Sequence, residues 1–225
     1  MNQRKFYAAL TMMAGAASVL VPVQTQAAVG YDMRERVIEL SGITDSYSTG
    51  ASVTRGEFAK MLVRASDYRS TVSSESSVSV FSDVPKDSEY ASYIRIAAKE
   101  GWMSGYLGGQ FKPDEYITMQ DAERAVLTML GYTNEDFTGD QVHARSAKFQ
   151  FLELGEGIDR ESGEVLNKKD CINLFYNLLR TKPKDSNTIY GSILGCELTE
   201  DGEINPLNMV DNSLKGPKLV RRSQK

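Results

Sequence analysis

Thr118-Met119-Gln120-Asp121-Ala122-Glu123-Arg124-Ala125-Val126 reads as the opening of an amphipathic helix. It recurs without gaps as Thr54-Arg55-Gly56-Glu57-Phe58-Ala59-Lys60-Met61-Leu62 and as Asn167-Lys168-Lys169-Asp170-Cys171-Ile172-Asn173-Leu174-Phe175. Each copy begins with Thr or Asn and carries an acid three positions on. The first side chain can then cap the third amide while the acid reaches back to the cap's own N–H. Apolar residues follow at helical spacing: Phe58, Met61, Leu62 and Ala65; Ala122, Ala125, Val126, Met129 and Leu130; Cys171, Leu174, Phe175, Leu178 and Leu179. Each predicted helix therefore has one stripe to bury, and the reuse of one unit points to a repeat architecture.

Working outward, a second helical pattern precedes each copy and ends near a glycine, the residue that most easily closes a helix. These patterns are Val37, Ile38 and Leu40 before Gly42; Tyr93, Ile94, Ala97 and Ala98 before Gly101; and Ala144, Ala147, Phe149, Phe151 and Leu152 before Gly155. The unit is helix, loop, helix, and three such units span 28–65, 81–132 and 133–181. Short helix pairs of this kind cannot each bury their own stripes, so they must share a core. The first interval between caps is the longer one, and Ser66–Ser79 is dominated by serine without an apolar period, which predicts an exposed insertion or hinge over 66–80.

Residues 182–225 change character. Ile189–Leu198 and Glu203–Val210 flank Asp201-Gly202, a dipeptide suited to a tight turn, so a short β-hairpin-like extension is expected there. Glu200, Asp201 and Glu203 lack the ligand spacing of a calcium loop. Beyond them Lys215, Lys218, Arg221, Arg222 and Lys225 form a basic tail expected to be frayed. At the other end, Arg4 and Lys5, an apolar small-residue run to Val21 and then Thr25-Gln26-Ala27-Ala28 have the order of a secretory signal, with cleavage expected after Ala27. The run is shorter than the ~20 residues of a spanning helix, and no transmembrane segment is expected after cleavage.

The 225 residues are 25% charged and 41% hydrophobic, with a formal net charge of −4. That balance excludes collagenous, multi-span and wholly disordered classes. It also lacks the cationic footprint that nucleic acid requires. Cys171 and Cys196 have no metal spacing, and Cys171 falls on an apolar helix face, which favours a buried free thiol. His143 is the only histidine, leaving no His-based triad or zinc set. No metal or cofactor is expected, and the chain reads as a non-enzyme.

Phe81-Ser82-Asp83-Val84-Pro85, Tyr93-Ile94, Ala97-Ala98, Gly101-Trp102-Met103-Ser104-Gly105-Tyr106, Gly109-Gln110-Phe111-Lys112-Pro113 and Ile117-Thr118 together resemble one complete S-layer homology (SLH) repeat. Val53-Thr54-Arg55-Gly56-Glu57 is similar to the family's Ile-Thr-Arg-Ala-Glu signature, while the third unit keeps the helix periods and cap but little of the motif. The resemblance covers about residues 30 to 181. It implies a mainly α fold, a pseudo-threefold bundle of three helix-loop-helix repeats with loops as prongs. The implied role is non-covalent attachment of an exported protein to the bacterial cell wall by binding secondary cell-wall polysaccharide, often pyruvylated. A structural or assembly subunit of the surface layer, acting through contacts with surface-layer proteins, is the alternative.

A pyruvylated sugar presents a carboxylate and hydroxyls, which call for a fixed cation, helix N-terminal amides, a hydroxyl acceptor and a flat apolar surface. Arg55 supplies a cation at a helix start, where it opposes the dipole. Asp83 is either a hydroxyl acceptor or a loop cap, and Trp102 and Tyr106 are either stacking platforms or core. Met119 replaces the family arginine in the second unit, and Lys168 keeps the charge in the third without the bidentate fork. One competent groove at Arg55 and Asp83 and a weaker one near Lys168 are therefore expected.

Overall fold

In the computed structural model, which describes residues 30–44, 49–72, 81–206 and 209, six α-helices form. They are α1 (Tyr31–Ser41), α2 (Arg55–Arg64), α3 (Ala91–Lys99), α4 (Met119–Met129), α5 (Gln141–Phe151) and α6 (Lys168–Arg180). The expected leader, serine-rich residues 73–80 and the basic tail lie outside the described residues.

All three repeated caps start helices. Thr54 Oγ1 accepts from Glu57 N at 3.2 Å while Glu57 Oε2 accepts from Thr54 N at 2.8 Å. Asn167 and Asp170 exchange the same pair of bonds at 2.9 and 3.0 Å. Thr118 Oγ1 accepts from Asp121 N at 3.3 Å. Every apolar residue named in the stripes of α2, α4 and α6 is buried. α6 is buried along nearly its whole length, Lys168, Asp170, Asn173 and Asn177 included.

Immediately before the caps, three backbone segments close a ring. Val53 N donates to Leu166 O (2.9 Å), Leu166 N to Ile117 O (3.0 Å) and Ile117 N to Val53 O (2.9 Å), and all three side chains are fully buried. The first two amides of each helix then donate into the loop of the next unit. Arg55 and Gly56 bond Glu115 O and Pro113 O, Met119 and Gln120 bond Glu164 O and Ser162 O, and Lys168 and Lys169 bond Ala51 O and Thr49 O. At Gly56 a Cβ would stand 2.8 Å from the Tyr90 ring, so close approach of that ring excludes a side chain where the family signature has alanine.

The helices pack across units. α3 lies on α2, α5 on α4 and α1 on α6, so α1, α3 and α5 each pack mainly on one of the capped helices, and α1 meets the last of them. Burial on α5 differs from the expected stripe. Phe149 is buried, but Phe151 is 78% exposed and Ala147 is exposed. At about 100° per residue, positions two apart cannot share one narrow face.

The stretch expected as an exposed insertion begins differently. Ser66 is buried and caps a 3-10 turn over Asp67–Ser70, and Tyr68 and Val72 pack on the core. In the C-terminal extension, Tyr190–Leu194 is a 3-10 turn ended by left-handed Gly195 rather than a strand arm. The chain then reverses through a single antiparallel bridge, Leu198 to Ile204, around Asp201-Gly202. No described helix is long and apolar enough to cross a membrane.

Candidate functional site

The helix starts meet at three unit boundaries, and one pattern recurs there. The first residue of a capped helix extends toward the third-position acid of the next capped helix. Arg55 Nη1 lies 3.1 Å from Asp121, and Lys168 Nζ lies 3.5 Å from Glu57. At the remaining boundary Met119 carries no charge, and Arg160, from the loop before α6, supplies Nε to Asp170 at 2.8 Å. Each boundary thus keeps a cation against a carboxylate, and the second does so by recruiting a different residue.

Arg55 is 3% exposed. Its Nε donates to Phe111 O (3.0 Å) and its Nη2 to Ser104 O (2.9 Å), and the guanidinium lies 4.8 Å from the ring centres of both Phe111 and Tyr106. The amides of Arg55 and Gly56 are bonded to Glu115 and Pro113. The cation and helix-start amides nominated for a ligand therefore hold the loop of the second unit.

Asp83 serves the same loop. Its carboxylate accepts from Phe111 N (2.8 Å) and Lys112 N (2.7 Å). Burial pushes its pKa up, but these amides and the Lys112 charge outweigh burial and hold it below the usual aspartate value. Trp102 is 8% exposed, edge-on to Tyr68 at 5.8 Å between ring centres, so it belongs to the packed interior. Tyr106 is 42% exposed and has Lys112 Nζ 4.7 Å from its ring centre. The structure thus brings Arg55, Asp83 and Tyr106 together around one loop and leaves Trp102 and Lys168 elsewhere.

Lys168 lines a cleft of about 90 Å³ with Glu57, Lys60, Arg64, Tyr90, Met61, Ile43 and Thr44. Lys60 also pairs with Glu89 at 3.1 Å. Three cations border this cleft with Glu57 as the facing acid. Lys60 and Arg64 were missed in the sequence, although their spacing from Glu57 at three and seven residues puts all three on one face of α2. Arg160 had no such signal, because a loop residue has no period.

The remaining reactive groups are elsewhere. Cys171 and Cys196 are free and buried; burial pushes the Cys171 thiol up and Cys196 up to about 12, so neither is a nucleophile at neutral pH. His143 is exposed and faces Asp140 at 3.1 Å. No group of three or more His, Cys, Asp or Glu among the described residues is placed to hold a metal ion. Glu203, from the acidic turn, accepts from Tyr176 Oη (2.5 Å) and Arg180 Nη1 (3.0 Å).

Residues 80–122 match the S-layer homology domain. That segment contains Asp83, Trp102, Tyr106 and Lys112 and ends in the first turn of α4. The chain is also similar to the surface layer protein of Brevibacillus choshinensis, at 22% identity over 169 residues covering 73% of this chain and 15% of that protein. To the middle cell wall protein of Brevibacillus brevis it is 27% identical over 177 residues, covering 76% of this chain and 16% of that protein. The chain therefore spans less than a fifth of the length of these relatives.

Proposed function

We propose that the chain is a wall-binding module that holds an exported protein on the bacterial surface by gripping an acidic secondary cell-wall polysaccharide. The coarser statement stands on the S-layer homology segment and the two relatives: this is a surface-layer-associated protein of the cell wall or cell surface. Their names point to a structural role rather than catalysis. The ring of Val53, Ile117 and Leu166 supports reading the fold as three units about a pseudo-threefold axis, the first and third diverged in sequence.

The observation that carries polymer binding is the cleft beside Lys168. Its volume of about 90 Å³ is well below the ~300 Å³ at which small-ligand sites begin, which suits a carboxylate-bearing substituent such as a pyruvate ketal better than an enclosed sugar ring. Lys60, Arg64 and Lys168 supply the positive field, and a ligand carboxylate would share them with Glu57. Arg55 and Asp83 act in this reading as positioning residues that hold the loop presenting Tyr106 and Lys112 to the polymer. The ranking of the two grooves is then the reverse of the one expected from the signature.

The test is co-sedimentation of residues 28–225 with wall sacculi before and after extraction of their secondary polysaccharide. Pelleting lost on extraction, and about tenfold weaker in a folded Lys168→Gln variant, is the expected result, a tenfold change being about 1.4 kcal/mol. Failure to pellet with any wall preparation, or an unaffected variant, would overturn it. The alternative, assembly through surface-layer protein contacts, is favoured by Leu107, which stands fully exposed at the tip of the Tyr106–Gln110 turn.

A further inference from the structure

At the opposite end of α2, α4 and α6 from their caps lies a separate cleft of about 330 Å³. Its walls are the turn after α2, with Asp67 and Tyr68, the loop after α3 with Trp102, and the C-terminal extension with Tyr190, Ser192 and Ile193. The volume falls at the lower end of the range of about 300–1,000 Å³ usual for small-ligand sites. No lysine or arginine lines it, and Asp67 is the one charged group in its wall.

Trp102 is 8% exposed; its indole N–H has no acceptor among the described residues, and since no buried side-chain nitrogen or oxygen there lacks a partner, that N–H is the part of the ring left open to solvent. Such an accessible N–H on a mostly buried ring is free to donate to a ligand. The hydroxyl of half-buried Tyr190 and the side chains of exposed Ser192 and Asp67 have no protein hydrogen-bond partner among the described residues and face the cleft's solvent. Burial and the Asp67 charge push the Tyr190 phenol up, keeping it a donor at neutral pH. Two donors, a hydroxyl and a carboxylate thus surround an aromatic and aliphatic wall.

We propose that this cleft is a binding site for an uncharged sugar ring. A pyranose has apolar C–H faces for Tyr190 and Ile193 and a rim of hydroxyls for the open polar groups, and it reaches Trp102 at the exposed edge that carries the indole N–H. An anionic ligand would meet Asp67 with no lining cation to offset it. A purely apolar ligand would desolvate those groups without replacing their hydrogen bonds. The site is independent of the acidic-polymer cleft beside Lys168, in place and in chemistry.

Trp102 is the only tryptophan in the chain, so its fluorescence reports on this cleft alone. The full chain would be titrated with an N-acetylglucosamine trimer, a glucose trimer and, as a charged control, glucuronic acid. A saturable emission change with a neutral sugar, about fivefold weaker in Tyr190→Phe and in Asp67→Asn, is expected when one hydrogen bond is lost. The neutral sugar that responds separates glycan-strand N-acetylhexosamine from a hexose polymer as its source. Three results would overturn the proposal: no saturable change with either neutral sugar, equal affinity in folded variants, or glucuronic acid bound as tightly as the neutral rings. Pelleting with sacculi despite an unresponsive Trp102 would sink this site and leave the Lys168 cleft standing.

Discussion

Arg55 shows how one residue can be correctly singled out and its task differently filled. The sequence marks it as unusual because a cation at a helix start opposes the dipole, and the structure resolves the conflict with Asp121, two carbonyl acceptors and two aromatic rings. Those partners come from residues 104–121, and no local pattern around position 55 could name them. Arg55→Ala should destabilise the fold by about 3 kcal/mol in chemical denaturation, because it leaves buried acceptors unpaired. Arg55→Lys should recover only part, lacking the fork. Asp83 makes the complementary pH prediction. Its folded pKa is lowered, so its contribution is present above the unfolded aspartate value near about 4 and is lost as pH falls through the folded one. The stability gap between the native chain and Asp83→Asn should therefore be constant near neutrality and close in acid, as read from urea midpoints across pH.

For the elements, capping residues and periodicity located α2, α4 and α6 because both signals are local and mutually consistent. The choice of packing partner was not legible. An apolar stripe states that a helix must be covered, without stating by what, and the upstream helices in fact cover capped helices of other units. α5 is the weakest reading, since Phe149 and Phe151 were assigned to one face that only Phe149 occupies. Between α4 and α5, Glu123 is buried, with Ser146 donating to it at 3.2 Å. Burial raises its pKa more than that bond lowers it. The sign is opposite to that of Asp83: stability falls as pH rises from the ordinary carboxylate value through the raised one. Glu123→Gln should therefore raise the Tm at neutral pH by about 3 °C, with the gain vanishing near about pH 4 in thermal scans.

Across the whole molecule, α1 is held on α6 through a buried polar network. Arg34, nearly fully buried, donates to Asn177 Oδ1 (3.2 Å) and Glu156 (2.6 Å), and Arg180 joins Glu156 to Glu203 of the C-terminal turn. Arg34 and Asn177 are 143 residues apart, a separation no pattern in the sequence bridged. Arg34→Ala should destabilise by about 2 kcal/mol, less than the roughly 3–5 usual for a fully buried pair because Glu156 is partly solvated. Hydrogen exchange should show α1 amides losing protection while those of Val53, Ile117 and Leu166 keep it. The seam also has a mechanical meaning. In the anchoring role proposed above, tension drawn between residues 30 and 206 would load α1 at one end and, at the other, the C-terminal turn that Glu203 joins to Arg180 of α6. There Arg34 and Arg180 would work as a clasp, the contacts that must part before α1 or the C-terminal turn can peel from α6.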